Sequence, residues 1–265
     1  MQLPTIGFLG AGAIVNAMVT GFCQRAGDVP YPLVVSDMRP EACEALRRKF
    51  PGRVSAAASL QECVDRSDWV VIAVWPQAGE EVVRSLRFRP DQKVINVMFD
   101  KTVEEIRTWM NTEVKTMLHM IPGTYLAFYP GPIVQCPATP EAAEIFGHIG
   151  RIVNVESRYQ AAVFGSVTGL FAPIFAVMDR VVDWAAAQGV PTDAAVSYVT
   201  GMFAAVCTEA CGKDREGVHT MATVSTPGGI NMQALELLEK AGAFQAWQET
   251  LNPIMARTAA GIPRD

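Results

Sequence analysis

Two glycines near the start of the sequence have the spacing of a phosphate-binding turn. Gly10 and Gly12 follow a short apolar segment, TIGFL, and precede an apolar run with helical spacing. In a strand–turn–helix unit, the first glycine permits the tight turn and the second lets the backbone approach a pyrophosphate. Val15 stands at the third position of the pattern, where a small residue is usual. We therefore predict a dinucleotide-binding turn that includes Gly10, Gly12, Ala13 and Ile14.

Two charged residues follow the second apolar segment, LVVS, and bear on which dinucleotide would bind. The carboxylate of Asp37 would accept hydrogen bonds from the ribose hydroxyls of NAD and repel a 2′-phosphate. Arg39, two residues on, could instead bind the phosphate of NADP. The two indications conflict, and we lean weakly to NAD while NADP stays open.

A polar turn before a late helix could bind an anionic substrate. Ser225 and Thr226 supply hydroxyls, and Pro227 leads into Gly228 and Gly229. Glycines at the N-terminus of a helix leave backbone N–H groups free, which suits a carboxylate. Asn231 follows, with a side chain that both donates and accepts hydrogen bonds. A merely capped helix start would explain the hydroxyls but not the paired glycines.

Three further side chains could supply a proton. Lys101 could act as a proton donor or bind a carboxylate, although a surface lysine paired with Asp100 or Glu105 is the favoured interpretation. His119 lies at the end of a predicted strand, where a lone histidine is more often structural. Tyr125 is the weakest of the three candidates.

The elements that must position these residues alternate between strands and helices in the first half of the chain. Continuous β-branched runs such as WVVIAV are typical of strands buried on both faces of a parallel sheet. The alternation predicts a doubly wound α/β sheet. The predicted strands are Thr5–Leu9, Leu33–Ser36, Trp69–Val74, Lys93–Val97 and Val114–His119, and the predicted helices are Ile14–Arg25, Glu41–Phe50 and Val103–Met110.

The second half of the sequence has little strand pattern after about Glu156. We predict three or more long helices, broken at residues 189–191, at 211–212 and at 226–229. A domain boundary is expected between residues 156 and 157, which gives a dinucleotide-binding domain of 1–156 and a helical domain of 157–265. The apolar tract Val163–Met178 is shorter than a membrane-spanning helix requires, so we expect it to be buried between subunits or domains.

Composition excludes several classes of protein. The chain has 265 residues, half of them hydrophobic, and a net charge of −5. It therefore has no global attraction to nucleic acid or to an anionic membrane. The six cysteines are too few and too scattered for a disulfide framework, and no metal site is predicted. Cys207 and Cys211 are interpreted as buried helix cysteines. With no secretion signal apparent, a cytoplasmic location is expected.

Taken together, these motifs resemble pyrroline-5-carboxylate reductases over nearly the whole chain. IGFLGAG resembles the opening strand and glycine turn of that family, and Ala73–Gln77 (AVWPQ) is similar to its AVKPQ, so Val74, Trp75 and Pro76 are implied to contact the cofactor. Residues 225–239 are similar to its SSPGGTT helix start. The resemblance implies a Rossmann domain, an all-helical dimerisation domain, and hydride transfer from NAD(P)H to a cyclic imine that bears a carboxylate.

Several positions depart from the family pattern, and most of them would line the substrate pocket. Trp75 replaces the lysine of AVKPQ, Gly123 replaces the asparagine of an MPN turn, and Asn231 replaces a substrate-contacting threonine. The loop Met98–Lys101 replaces a small AAG loop, and Thr168–Ile174 replaces a SGSGPAY helix start. The resemblance therefore implies the family's fold and reaction class, with a substrate that the sequence does not specify.

Two other functions compete with imine reduction. A carbonyl reductase of the 3-hydroxyacid dehydrogenase type would need a catalytic lysine at the start of the interdomain helix, and Gln160–Ser166 contains none. A dinucleotide-binding sensor without turnover is the other alternative. In each of these candidate functions, the expected ligand is a small molecule.

The apolar stretches Leu170–Met178 and Val196–Val206 predict a homodimer, with the active site between the Rossmann domain of one chain and the helices of the other.

Overall fold

The computed structural model of the protein describes residues 3–27, 29–223, 226 and 228–263. It divides into two compact units, Met1–Gly165 with Gly261–Asp265, and Ser166–Ala260. The predicted domain boundary between residues 156 and 157 stays a prediction.

The first unit is built on an eight-stranded sheet. Its strands are β1 (Ile6–Leu9), β2 (Leu33–Ser36), β3 (Val54–Ala56), β4 (Trp69–Ile72), β5 (Lys93–Asn96), β6 (Thr116–Ile121), β7 (Pro132–Cys136) and β8 (Arg151–Asn154). They lie in the order β3-β2-β1-β4-β5-β6-β7-β8. Every neighbouring pair is parallel except β6 and β7, which are antiparallel.

Helices connect these strands and cover the sheet. They are α1 (Ala13–Arg25), α2 (Pro40–Lys49), α3 (Leu60–Asp65), α4 (Gly79–Ser85), α5 (Val103–Trp109) and α6 (Pro140–Phe146). Successive side chains of a strand point to opposite faces, so each central strand feeds two cores. Phe8, Trp69 and Val71 lie in one buried cluster, whereas Leu9 and Val70 lie in the other. The predicted doubly wound α/β fold is confirmed.

The predicted elements of the first half agree with the structure to within about two residues at each end. The predicted strand Leu33–Ser36 matches β2, and Ile14–Arg25 matches α1 except for one residue. The prediction missed β3, β7, β8, α3, α4 and α6. These elements are short, three to seven residues each, so neither an alternating nor a helical period has room to emerge.

The second unit is helical. The helices from α7 onward are α7 (Arg158–Thr168), which runs across the division between the units, α8 (Phe171–Ala187), α9 (Thr192–Ala210), α10 (Arg215–Thr223), α11 (Ile230–Lys240) and α12 (Ala243–Thr258). The three predicted helix breaks are confirmed. The buried cluster of this unit contains only Val182, Ala195 and Val199, and the described parts of α10, α11 and α12 bury no residue.

Two predictions about the second unit need correction. The segment Arg158–Ala187 comprises α7, α8 and the two residues between them. It has 30 residues and, by length and composition, is long and apolar enough to cross a membrane. The argument that the apolar tract is too short was therefore wrong, because the helical segment extends beyond Val163–Met178. Cys207 and Cys211 are exposed on the single chain rather than buried, and Cys211 lies just beyond the end of α9.

Candidate functional site

The glycine turn lies at the carboxyl end of β1, next to the end of β4. Gly10 has a φ of +111°, and a β-carbon there would lie 2.5 Å from the carbonyl oxygen of Ala73. Only glycine adopts a positive φ without strain and also has no β-carbon to collide with this carbonyl. A β-carbon on Gly12 would meet no atom within 4 Å, so this position faces open space. α1 begins directly afterwards at Ala13 without a side-chain cap, which leaves its N-terminus suited to an anion.

Asp37 connects this turn to the end of β2 by hydrogen bonds. Its carboxylate accepts hydrogen bonds from the backbone N–H of Ala11, at 2.7 Å, and from the backbone N–H and Nε of Arg39, at 2.9 and 3.2 Å. Burial acts to raise the pKa of Asp37, but these hydrogen bonds outweigh it and lower the pKa below its ordinary value. The two residues that gave conflicting indications in the sequence thus form one ion pair.

An open cleft extends from this turn along the carboxyl edge of the sheet. Its walls at one end come from the glycine turn, from the residues after β2 and from those after β4, namely Gly10, Gly12, Asp37, Met38, Arg39, Leu60, Ala73, Val74, Trp75, Ala78 and Val82. The adjoining end adds Ala13, Ile14, Val15, Pro76, Val97, Met98 and Phe99. All of the predicted cofactor-binding residues therefore lie on one continuous cleft.

Asn96, which the sequence analysis missed, organises the loop after β5. Its side-chain oxygen accepts a hydrogen bond from the backbone N–H of Met98 at 2.8 Å, and its amide nitrogen donates to the carbonyl of Lys101 at 2.6 Å. The same nitrogen lies 3.1 Å from Nδ1 of His119, its register partner on β6. In the sequence, the feature that could have pointed to Asn96 is its position as a polar residue at the end of an apolar strand.

The three predicted proton donors have different environments. The pKa of His119 is lowered to about 4, mainly by burial and to a smaller extent by the positive charge of Arg158. The ring is therefore uncharged at neutral pH. Lys101 is half-buried, and its side chain has no ion pair with Asp100 or Glu105. Glu105 instead forms a capping box with Thr102 at the start of α5. The expected pairing of Lys101 with Asp100 or Glu105 is therefore not seen, and the role of Lys101 stays a prediction.

The ring of Tyr125 packs against two glycines, Gly123 and Gly131. The Tyr125 ring lies against Gly123 so closely that a β-carbon there would overlap it, and a β-carbon on Gly131 would lie 2.5 Å from it. Its hydroxyl donates to the carbonyl of Pro132 at 2.6 Å, and burial raises its pKa. The ring therefore packs in this loop and its proton is engaged there.

The predicted substrate-side residues lie in the second unit, at the start of α11. Gly229 caps the helix without a side-chain hydrogen bond, and its N–H donates to the carbonyl of Thr226 at 2.8 Å. Gly228 has a φ of +70°, which shapes the turn. Thr226 and Asn231 are exposed. Ser225 lies outside the described residues.

Comparison with known families gives one match for each half of the chain. The family model described as NADP oxidoreductase coenzyme F420-dependent matches residues 5–99. The model described as pyrroline-5-carboxylate reductase dimerisation matches residues 158–260.

Relatives with assigned names cover nearly the whole length. The pyrroline-5-carboxylate reductase of Pisum sativum is 25% identical over 251 residues, which is 90% of this chain and 89% of that protein. That of Methanosarcina acetivorans is 25% identical over 259 residues, 95% of each chain.

Solved structures share the fold. Pyrroline-5-carboxylate reductase from Streptococcus pyogenes superposes with a TM-score of 0.81 at 18% identity, covering 97% of this chain and 98% of that one. The Plasmodium falciparum enzyme, solved with NADP bound, gives 0.81 at 16% identity, covering 98% of each chain.

The low pKa of His119 predicts a pH dependence of stability. The ordinary pKa of 6.5 applies to the unfolded chain, so between pH 6.5 and about 4 the unfolded chain binds more protons and stability falls as pH falls. We expect the native protein to lose about 2 kcal/mol more than His119→Asn between pH 7.5 and pH 5 in urea unfolding. The asparagine keeps an acceptor for Asn96 but does not titrate. Parallel pH profiles for the two proteins would contradict the buried, neutral histidine.

Proposed function

The chain belongs to the pyrroline-5-carboxylate reductase family, and from this premise we propose that it reduces the C=N bond of a small cyclic imine carboxylate with NAD(P)H. The structural observation that carries the proposal is the glycine turn between β1 and α1, held to β2 by Asp37. The activity of the family, which completes proline synthesis, is the reaction to test first.

The residues around the turn fit a nicotinamide dinucleotide. The open space over Gly12 and the uncapped start of α1 suit the pyrophosphate, and the carboxylate of Asp37 suits a ribose. The cofactor supplies a hydride when bound, and the protein's part is to bind and orient the reactants.

The helix start at Ile230 is assigned to the substrate carboxylate. Thr226 and Asn231 would provide hydroxyl and amide donors, whereas the N–H of Gly229 is already hydrogen-bonded to the carbonyl of Thr226. The roles of Ser225, Gly228 and Gly229 in binding the substrate stay predictions. An imine that binds protonated needs no separate acid. If a residue does supply the proton, Lys101 fits better than His119, because the neutral imidazole of His119 with a pKa of about 4 is a poor donor.

Asn231→Ala tests the substrate side. We expect the KM for pyrroline-5-carboxylate to rise about tenfold or more, since a hydrogen bond to a charged group contributes about 1.5–3 kcal/mol. The KM for the cofactor should change little. Gln233→Ala, which removes another exposed amide from the same helix, is the matched control and should leave both values unchanged.

The assay also separates imine reduction from the alternatives. Cyclic imines and 2-oxo acids are supplied in parallel with NADH or NADPH. Turnover of 2-oxo acids alone would replace the proposal with carbonyl reduction, and cofactor binding without any turnover would replace it with a sensor.

For the choice of cofactor we propose NADH. The carboxylate of Asp37 keeps a lowered pKa and stays ionised, so it favours ribose hydroxyls and repels a 2′-phosphate. Arg39 lies beside it, and part of its guanidinium is engaged by Asp37 through Nε.

Arg39→Ala tests this choice. Native protein should use NADH at least as efficiently as NADPH, and the substitution should change the KM for either cofactor by less than about threefold, because Arg39 is an exposed residue already paired with Asp37. Arg47→Ala, which removes an arginine paired with Glu44 on α2, is the control. A native preference for NADPH that Arg39→Ala abolishes would show that Arg39 selects the phosphate instead.

We further propose that the helical unit forms a homodimer. Its buried cluster is small, whereas Phe175, Trp184 and Tyr198 on α8 and α9 are all about two-thirds exposed or more. Such apolar surface is characteristic of an interface. A membrane is the less suitable partner, because Asp179, Arg180 and Asp183 lie on α8 and each charge costs about 3 kcal/mol at the centre of a bilayer. The cytoplasmic location stays a prediction.

Sedimentation tests the dimer. The native protein should sediment at twice the mass of one chain, and Phe175→Asp should shift it towards the monomer because a charge would be buried in the interface. Phe128→Asp, a change at an exposed phenylalanine of the first unit, should leave the dimer intact. A stable native monomer would contradict the proposal.

A further inference from the structure

Two large apolar side chains lie unusually open to solvent on the first unit. Met38 is 84% exposed and Trp75 is 79% exposed. They come from different loops, after β2 and after β4, yet both line the same end of the cleft. Two exposed apolar side chains at one cleft end point to an apolar ligand surface between them.

Neighbouring residues define which part of a dinucleotide would reach this end. Asp37 lies at the ribose position, and the glycine turn with the start of α1 lies at the pyrophosphate position. Apart from Asp37 and Arg39, the side chains that line this end are apolar, and the larger ones are Met38, Leu60, Val74, Trp75 and Val82. A base attached to that ribose has two apolar faces, which this lining matches.

The backbone of Trp75 is held in place before any ligand binds. Pro76 follows it and disfavours helical backbone at Trp75, which has φ −58° and ψ 131°. The carbonyl of Trp75 also accepts a hydrogen bond from the N–H of Ala78 at 2.9 Å, which closes a 3₁₀ turn over Pro76–Ala78. The indole therefore projects from a rigid loop, which lowers the entropy lost when it contacts a ligand.

We propose that Trp75 stacks on the adenine base of the dinucleotide, with Met38 as an additional apolar contact, and so recognises the cofactor by its base. This inference rests on the proposed dinucleotide-dependent function. The lysine of the family's AVKPQ motif offers a charge at this position, whereas the indole offers a flat aromatic face. Base–aromatic stacking is of sufficient strength to change affinity about tenfold or more.

Binding of ADP-ribose, which contains the base, ribose and pyrophosphate but no nicotinamide, tests the proposal without turnover. We expect Trp75→Ala to weaken ADP-ribose binding about tenfold in calorimetry, and Trp75→Phe to retain affinity within about threefold. Phe128→Ala removes a similarly exposed ring outside the cleft and should bind as the native protein does. Circular dichroism checks that each variant is folded.

Fluorescence provides a second readout that detects direct contact. ADP-ribose should quench tryptophan emission of the native protein, and the quenching should be lost in Trp75→Phe although the ligand still binds. Native affinity in Trp75→Ala, or quenching that survives in Trp75→Phe, would overturn the stacking while leaving the proposed function intact. A native protein that binds neither ADP-ribose nor NAD(P)H would overturn both.

Discussion

The parallel pairing of β1 with both of its neighbours is the constraint on which the cofactor side depends. β1 is fully buried and pairs with β2 on one side and β4 on the other, so three chain segments leave the sheet at one edge. Gly10, Asp37 and Ala73 therefore lie together although they are far apart in sequence. The 2.7 Å hydrogen bond from Ala11 to Asp37 and the missing β-carbon of Gly10 fix this arrangement.

The sequence predicts those parts of the fold in which burial produces a clear pattern. β2 and β4 are four-residue segments, each with two central valines and every residue buried, and the sequence predicts both close to their true ends. β3 has only three residues, and β8 is partly exposed along its length, so neither has a pattern that distinguishes it from a loop. In the helical unit, the glycine and proline positions marked the breaks because these residues end helices for local steric reasons.

The site was less predictable because its features depend on contacts between residues. Asp37 and Arg39 looked like alternatives in the sequence, but two residues apart they form an ion pair that also includes the Arg39 backbone. Asn96 could be recognised only as an unexplained polar residue, since its hydrogen bonds to the loop after β5 and to His119 require the register of two strands. The pKa of His119 likewise depends on burial that no local pattern reports.

Two glycines of the first unit are each packed against an aromatic ring. The ring of Tyr125 lies against Gly123, and the ring of Phe99 lies against Gly165, so closely that a β-carbon on either glycine would overlap the ring. In each pair the ring occupies the volume that a side chain on the glycine would need, as close packing requires. A larger residue at Gly123 or Gly165 would therefore displace its ring, so the conformation of the loops that carry Tyr125 and Phe99 depends on these two glycines.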